Sequence, residues 1–246
     1  TTLQREANRI YGMTAKQTLD TAQSLYEKKL ITYPRTDSQY LTEDMEQTAR
    51  NVVRQIYEKY QLTGPFDQPE QPDVKKVMNN SKVTDHHAII PTMELTSCHM
   101  DELKSWEEKI LFLIAVHTVM AMSKDHIYQE TEIEVECQGE VFKTKGKTVL
   151  QDGWKIFENC FKNKDRMAIA DPDQEMKERI PKVTKGQTFY AVAAEKTEHF
   201  TSPPKPYSED TLLAAMETAG NKEFDEDTEK KGLGTPATRA GIIEKL

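Results

Sequence analysis

The residues best suited to chemistry form a short polar stretch, residues 33–38 (Tyr-Pro-Arg-Thr-Asp-Ser), at the end of an apolar segment. A tyrosine phenol is a possible nucleophile, and a guanidinium has the shape to grip the phosphate that the phenol would attack. If Tyr33 and Pro34 are extended, Tyr33 and Arg35 project to the same side. The alternative is an ordinary turn, in which Pro34 fixes the backbone and a polar residue caps a helix.

Tyrosine at neutral pH needs help to act as a nucleophile, because its ordinary pKa of about 10 leaves roughly one side chain in a thousand ionised. A neighbouring cation lowers that cost and stabilises the charge that builds up on a phosphate during attack. Arg35 carries a permanent charge two residues after Tyr33 and could do both.

We call this first segment, residues 33–38, the tyrosine box. Two later segments belong with it. The histidine box, residues 84–92, reads Thr-Asp-His-His-Ala-Ile-Ile-Pro-Thr, and the glycine box, residues 231–240, reads Lys-Gly-Leu-Gly-Thr-Pro-Ala-Thr-Arg-Ala. The glycine box predicts a helix start, where free amides and the helix dipole attract anions. From the residues alone, a plain helix cap is an equally good interpretation, and neither His86 nor His87 stands out from a structural histidine.

In this order, the three boxes resemble the type IA DNA topoisomerases, most closely the topoisomerase III branch. That family carries Tyr-x-Arg-(Thr/Ser)-(Asp/Glu), then His-x-(Ala/Pro)-Ile-x-Pro-Thr, then Gly-(Ile/Leu)-Gly-x-Pro-(Ser/Thr/Ala)-Thr. The resemblance runs nearly end to end, since further segments also resemble the family: residues 2–7, 14–16, 22–27, 153–154 and 203–209.

The resemblance implies a mechanism and a set of site residues. Tyr33 would attack a phosphodiester of single-stranded DNA, form a 5′-phosphotyrosine bond and later be displaced by the 3′-hydroxyl, so that no ATP is needed. Arg35 and His86 would join Tyr33 as catalytic residues, whereas His87 falls at a variable position. The implied DNA-binding residues are Lys205, Thr235, Thr238 and Arg239.

The resemblance also implies Mg²⁺, which the family holds through an Asp-x-Asp-x-Glu cluster in a Toprim domain that precedes the matched region. We therefore expect no metal or cofactor within this chain, and Mg²⁺ in a longer parent protein. Residues 171–175 and 225–229 match that spacing, but both follow Tyr33 and neither follows an apolar strand, so we interpret them as solvated loops. The missing initiator methionine predicts an excised central fragment. Without the Toprim domain, we expect this fragment to be inactive by itself.

Composition narrows the classes of partner. With 246 residues, a net charge of −8 and a pI near 5.4, the chain is unsuited to general polyanion binding, so any basic surface must be local. No apolar run approaches the ~18 residues of a membrane span, which predicts no membrane partner. The expected partners are single-stranded DNA and the missing Toprim domain; the oligomeric state is open, with a monomer as the expectation.

Cysteine usage predicts a reducing cytoplasm rather than an oxidising compartment. Cys98, Cys137 and Cys160 are widely separated, form no Cys-x-x-Cys pair and accompany no secretory signal, so we expect no disulfides. Cys98 and His99 are adjacent, but no further ligands at a suitable spacing point to zinc.

The predicted fold is mixed α and β, in an elongated multidomain fragment. A helical domain bearing the tyrosine would cover 1–124, part of a β-rich arch 125–200, and the start of a helical DNA-binding segment 201–246. Its helix starts are Thr14 with a capping box to Gln17, Thr42, Asp101 or Glu102, Ser208, and Thr235 with Pro236. Alternation around Ile133 to Cys137 predicts a hairpin turning at Gln138-Gly139, and Phe189 to Ala194 a further strand.

Two other functions compete with this interpretation. A tyrosine recombinase also forms a phosphotyrosine, but its tyrosine comes late in the chain and accompanies a His-x-x-Arg pair, which is missing here. The second is a non-catalytic helical module for nucleic-acid binding or protein interaction, in which Tyr33 merely packs.

Overall fold

A computed structural model describes residues 1–62, 72–158, 183–190, 193, 195–220 and 232–245. The two acidic segments at 171–175 and 225–229 lie outside these described residues. The chain divides into two compact units: Thr1–Asp125, Gly153–Met167 and Tyr207–Leu246 form the first, and His126–Asp152 and Ala168–Pro206 the second. The predicted boundaries of three domains stay a prediction, although most of the third predicted segment belongs to the same unit as the first.

The described residues confirm a mixed α and β fold. They form six α-helices and one antiparallel pair of strands. The helices are α1 (Thr2–Tyr11), α2 (Ala15–Glu27), α3 (Glu46–Tyr60), α4 (Ser105–Ala121), α5 (Glu209–Thr218) and α6 (Pro236–Ile243), and the strands are β1 (Ile127–Cys137) and β2 (Glu140–Gln151).

Polar caps start the helices where the sequence predicts them. The Thr14 hydroxyl accepts the Gln17 N–H at 3.1 Å, and the Gln17 side chain accepts the Thr14 N–H at 3.1 Å, so the predicted capping box is confirmed. Ser208 accepts the Thr211 N–H at 3.3 Å at the start of α5. After Thr42 the chain first makes a 3₁₀ turn, Glu43–Met45, before α3 begins.

The predicted start of α4 at Asp101 or Glu102 is wrong. Those residues belong to a separate 3₁₀ turn, Met100–Glu102, and the backbone is extended at Lys104 before α4 begins at Ser105. The physical reason is a cap formed from within the helix, because the Glu107 carboxylate accepts the Lys104 N–H at 2.9 Å. From Ile110 onward α4 is apolar on nearly all sides and forms the centre of the core.

The two C-terminal helices pack on the two N-terminal ones. A buried cluster joins α2, α5 and α6 through Ala15, Leu213 and Ala240. Arg5 of α1 forms an ion pair with Asp210 of α5 at 2.7 Å. Residues more than 200 positions apart therefore share one core.

The second unit contains the predicted hairpin. Gln138 and Gly139 form its two-residue turn with φ angles of 51° and 88°, the left-handed geometry that tight hairpins require. Cross-strand partners carry opposite charges, as in Glu134 opposite Lys143. The strand predicted for Phe189 to Ala194 is not formed at its described residues 189, 190 and 193, so the β-rich arch stays a prediction.

Candidate active site

The tyrosine box and the histidine box lie side by side. After α2 the chain runs extended, and Ile31 pairs antiparallel with Pro91. The Thr32 N–H donates to the Ile90 carbonyl at 3.0 Å, and the Thr92 N–H donates to the Leu30 carbonyl at 3.0 Å. Segments about 60 residues apart in sequence are thus joined by backbone hydrogen bonds directly before Tyr33.

Threonine side chains reinforce this pairing. The Thr32 hydroxyl accepts the Ile90 N–H at 3.0 Å and donates to the Ala88 carbonyl at 3.2 Å. On the other side of the tyrosine, the Thr36 hydroxyl donates to the His86 carbonyl at 2.8 Å. The backbone that presents Tyr33 is therefore held on both sides by the histidine box.

The rings of Tyr33 and His86 are in direct contact. Their centroids are 4.3 Å apart with an interplanar angle of 44°. Tyr33 is half-buried and His86 is exposed. Among the described residues, no hydrogen bond involves the Tyr33 hydroxyl, which leaves its oxygen available to an incoming group.

Arg35 is exposed and forms no ion pair or hydrogen bond within the described part of the chain. Its side chain lines a cavity of about 330 Å³ in the first unit. Pro236 and Ala237 at the start of α6 line the same cavity, as do Ala88 and Ile90 of the histidine box. All three boxes therefore contribute to one cavity wall, although Tyr33 and His86 themselves lie outside it.

One titratable group of α4, His117, also lines this cavity. Burial lowers the pKa of His117 and outweighs the opposite effect of Glu6, so the ring is neutral at pH 7. His117 therefore adds no positive charge to the cavity wall that Arg35 also lines.

The start of α6 presents two exposed threonines. The Thr238 hydroxyl accepts the Thr235 N–H at 2.8 Å, and the two hydroxyl oxygens are 3.1 Å apart. Pro236 occupies the first turn, as the sequence predicts. Both side chains remain accessible to a ligand at the helix start.

Arg239 is buried, with 3% of its surface exposed. Its guanidinium donates to the Leu233 carbonyl at 2.9 Å, the Gly234 carbonyl at 3.1 Å and the Thr1 hydroxyl at 2.9 Å. Its donors are directed at the protein's own turn before α6. Lys205 is exposed and belongs to the second unit.

A buried carboxylate that the sequence analysis did not select anchors α2 to α4. Glu107 accepts hydrogen bonds from Ser24 at 2.7 Å, from Lys28 at 2.6 Å and from the Lys104 N–H. Burial favours the neutral form, but these donors prevail and hold the pKa of Glu107 at about 2. Glu108 follows Glu107 in the first turn of α4, so the sequence alone does not distinguish the buried carboxylate from its exposed neighbour.

Neither a metal site nor a membrane span occurs among the described residues. No group of three or more His, Cys, Asp or Glu side chains among the described residues could hold a metal ion. Within the same residues, no helix is long and apolar enough to cross a membrane.

Comparisons with known proteins match the chain along its whole length. The family described as DNA topoisomerase matches residues 1–246. Proteins named DNA topoisomerase 3 from Bacillus licheniformis and Bacillus subtilis are each 38% identical over all of this chain, and one from Bacillus cereus is 36% identical. The chain spans about a third (34%) of the length of each of these relatives.

Proposed function

The chain belongs to the DNA topoisomerase family, as its three boxes predict, and we propose that it carries the tyrosine nucleophile of a type IA enzyme. The enzyme cuts one DNA strand, passes another strand through the gap and reseals the first. In cleavage, the phosphate is transferred from the 3′ oxygen of the DNA to the protein, and in resealing it is transferred back.

Tyr33 is the nucleophile in this proposal. Its phenolate oxygen attacks the phosphorus of a single-stranded phosphodiester, and a Tyr–O–P bond to the 5′ side forms while the bond to the 3′ oxygen breaks. The 3′ oxygen takes up a proton and leaves as a hydroxyl. In resealing, that hydroxyl attacks the same phosphorus and Tyr33 leaves, so no ATP is consumed.

The contact between Tyr33 and His86 carries the proposal. A tyrosine that merely packs would sit in the core with its oxygen satisfied, whereas Tyr33 is half-buried on a backbone segment held from both sides. The 4.3 Å contact between the two rings supports a role for His86 beside the phosphate under attack. Arg35 then supplies the uncommitted positive charge that a pentavalent phosphate needs.

The glycine box serves as a DNA-binding element. Thr235 and Thr238 offer exposed hydroxyls at a helix start, and the helix dipole favours a phosphate there. Arg239 acts indirectly, because it orders the turn at Leu233 and Gly234 instead of contacting DNA itself. Lys205 would add a separate phosphate contact.

Mg²⁺ comes from outside this chain in the proposal. The described residues hold no suitable cluster of carboxylates, so we assign no step to the metal here. A Toprim domain in the same parent protein would hold it, and the 246-residue chain alone should not cleave DNA. Detection of a covalent adduct between the isolated chain and an oligonucleotide in Mg²⁺ would contradict this part of the proposal.

The deciding experiment exchanges Tyr33 for Phe in the full-length protein. The phenyl ring keeps the packing on His86 but has no oxygen to attack phosphorus. We expect loss of covalent adduct with a labelled single-stranded oligonucleotide and loss of relaxation of supercoiled DNA, with oligonucleotide affinity unchanged.

Tyr40→Phe is the matched control, because Tyr40 lies in the same region and, among the described residues, its hydroxyl makes a single hydrogen bond, accepted from Lys82 at 3.3 Å. This variant should retain activity. Retained adduct formation in Tyr33→Phe would reject the nucleophile and favour the non-catalytic nucleic-acid-binding or interaction module.

A further inference from the structure

A second tyrosine ring touches the proposed nucleophile. The centroids of Tyr26 and Tyr33 are 5.3 Å apart with an interplanar angle of 79°, an edge-to-face arrangement. Among the described residues, no ring contact joins Tyr26 to His86, so the two neighbours touch different parts of the Tyr33 ring. Tyr33 is thus bordered by aromatic rings from α2 and from the histidine box.

Tyr26 is carried by a part of α2 that is anchored to the rest of the first unit. It lies in the last turn of α2, where its neighbour Leu25 is fully buried. Ser24 and Lys28, two residues to either side, both donate to the buried Glu107 of α4. The Leu30 N–H donates to the Leu25 carbonyl at 2.9 Å and closes the helix end. The backbone that carries Tyr26 is therefore anchored to the core.

The Tyr26 ring itself does not belong to the core. Its exposed fraction is 39%, so the ring borders both Tyr33 and solvent. A ring fixed at its base and exposed at its edge suits the orientation of a neighbour better than the filling of space. Edge-to-face aromatic pairs favour one relative orientation by about three- to tenfold.

We propose that Tyr26 is a positioning residue that holds the Tyr33 ring in the orientation from which its oxygen attacks the phosphorus. This inference rests on the proposed function. The rate of attack depends on how often the phenol is correctly aligned, whereas DNA affinity does not. Loss of the Tyr26 ring should therefore slow cleavage and leave binding unchanged.

The test uses three substitutions in the full-length protein: Tyr26→Phe, Tyr26→Ala and Tyr26→Leu. The single-turnover rate of adduct formation is measured with a labelled single-stranded oligonucleotide in Mg²⁺, and affinity is measured for each variant combined with Tyr33→Phe. We expect Tyr26→Ala and Tyr26→Leu to cleave about three- to tenfold more slowly. Tyr26→Phe, which keeps the ring, should stay within about twofold, and all affinities should stay within about twofold.

The matched control is Tyr128→Ala in the second unit. Tyr128 has a similar exposed fraction, 44%, and its ring lies 5.7 Å from that of His126, but it has no place in the proposed chemistry. This variant should cleave at the unaltered rate.

Three results would overturn the inference. The first is cleavage at the original rate by both Tyr26→Ala and Tyr26→Leu. The second is cleavage by Tyr26→Phe as slow as that by Tyr26→Ala, and the third is a fall in affinity by the same factor as the rate. If Tyr26→Ala lowers the unfolding temperature, Tyr26→Leu decides, because it retains apolar volume. Adduct formation by Tyr33→Phe alone would instead reject the proposed function, so the two failures are distinguishable.

Discussion

Arg35 belongs to the tyrosine box and Arg239 to the glycine box, and their side chains differ in exposure and in contacts. Arg35 is exposed and has no protein partner among the described residues. Arg239 is 3% exposed and donates to two carbonyls and a hydroxyl, with Glu217 at 3.8 Å. The first guanidinium can receive a phosphate, and the second is already occupied.

The difference separates two uses of one side chain. A buried guanidinium must have partners, since a buried charge without them costs several kcal/mol. At Arg239 the partners are carbonyls of a turn in which Gly232 and Gly234 have φ angles of 65° and 68°. The sequence analysis assigned both arginines to phosphate, which stays a prediction for each, and a motif does not reveal which charges face solvent.

The largest effect should come from Arg35→Ala. Loss of this cation removes stabilisation of the attacked phosphate, so cleavage by the full-length protein should slow by about 10²- to 10³-fold. The unfolding temperature should not change, because Arg35 is exposed and has no ion pair or hydrogen bond among the described residues to lose. Single-turnover adduct formation and thermal unfolding measure the two quantities.

Arg54→Ala is the control for Arg35, because Arg54 is an exposed arginine of α3 whose one hydrogen-bond partner in the described part of the chain is Asn51, at 2.8 Å. A similar loss of cleavage in both variants would mean that general charge, and not a specific role of Arg35, is responsible.

Arg239→Ala should act on stability instead. Removing the guanidinium leaves the Leu233 and Gly234 carbonyls without their donor, which should cost about 2–4 kcal/mol in the free energy of unfolding of the first unit. Chemical denaturation of this variant beside Arg54→Ala measures the difference. Unaltered stability combined with weakened DNA affinity would show that Arg239 contacts DNA after all and would remove the contrast with Arg35.

The smallest effect concerns the support under the tyrosine box. Glu107→Gln keeps the volume and some hydrogen bonds but loses the charge that pairs with Lys28. The free energy of unfolding should fall by about 2 kcal/mol at pH 7, which is less than the full pKa shift implies because Lys28 is partly exposed and screened by solvent. Because folding lowers the pKa of Glu107 from 4.5 to about 2, this contribution is present above pH 4.5 and is lost as the pH falls through about 2.

Denaturation of both proteins between pH 2 and pH 6 checks this prediction. The difference in stability should be constant above about pH 5 and should shrink towards zero near pH 2. A difference that does not depend on pH would mean that Glu107 stabilises the protein through packing and not through its charge.

Helix caps and the hairpin turn could be predicted from the sequence alone. Thr14 and Ser208 cap their helices, and Gln138-Gly139 turns the hairpin, because each depends on residues within a few positions. The start of α4 was misplaced because its cap comes from Glu107, whose carboxylate is directed by Lys28 and Ser24 far away in sequence. Tyr26 was noticed only as part of a family segment, since nothing local signals a contact with Tyr33.

By itself, the sequence determined the family, the three boxes and the order in which they occur, because residue types and short spacings carry that information. Only the tertiary structure decided that the tyrosine and histidine boxes are joined by backbone hydrogen bonds, and that Tyr33 lies between the rings of Tyr26 and His86. It also decided that Arg35 is exposed, without an ion pair or hydrogen bond among the described residues, and that Arg239 is buried. Exposure and contact depend on how distant segments pack, and packing is a property of the whole core and not of any one segment.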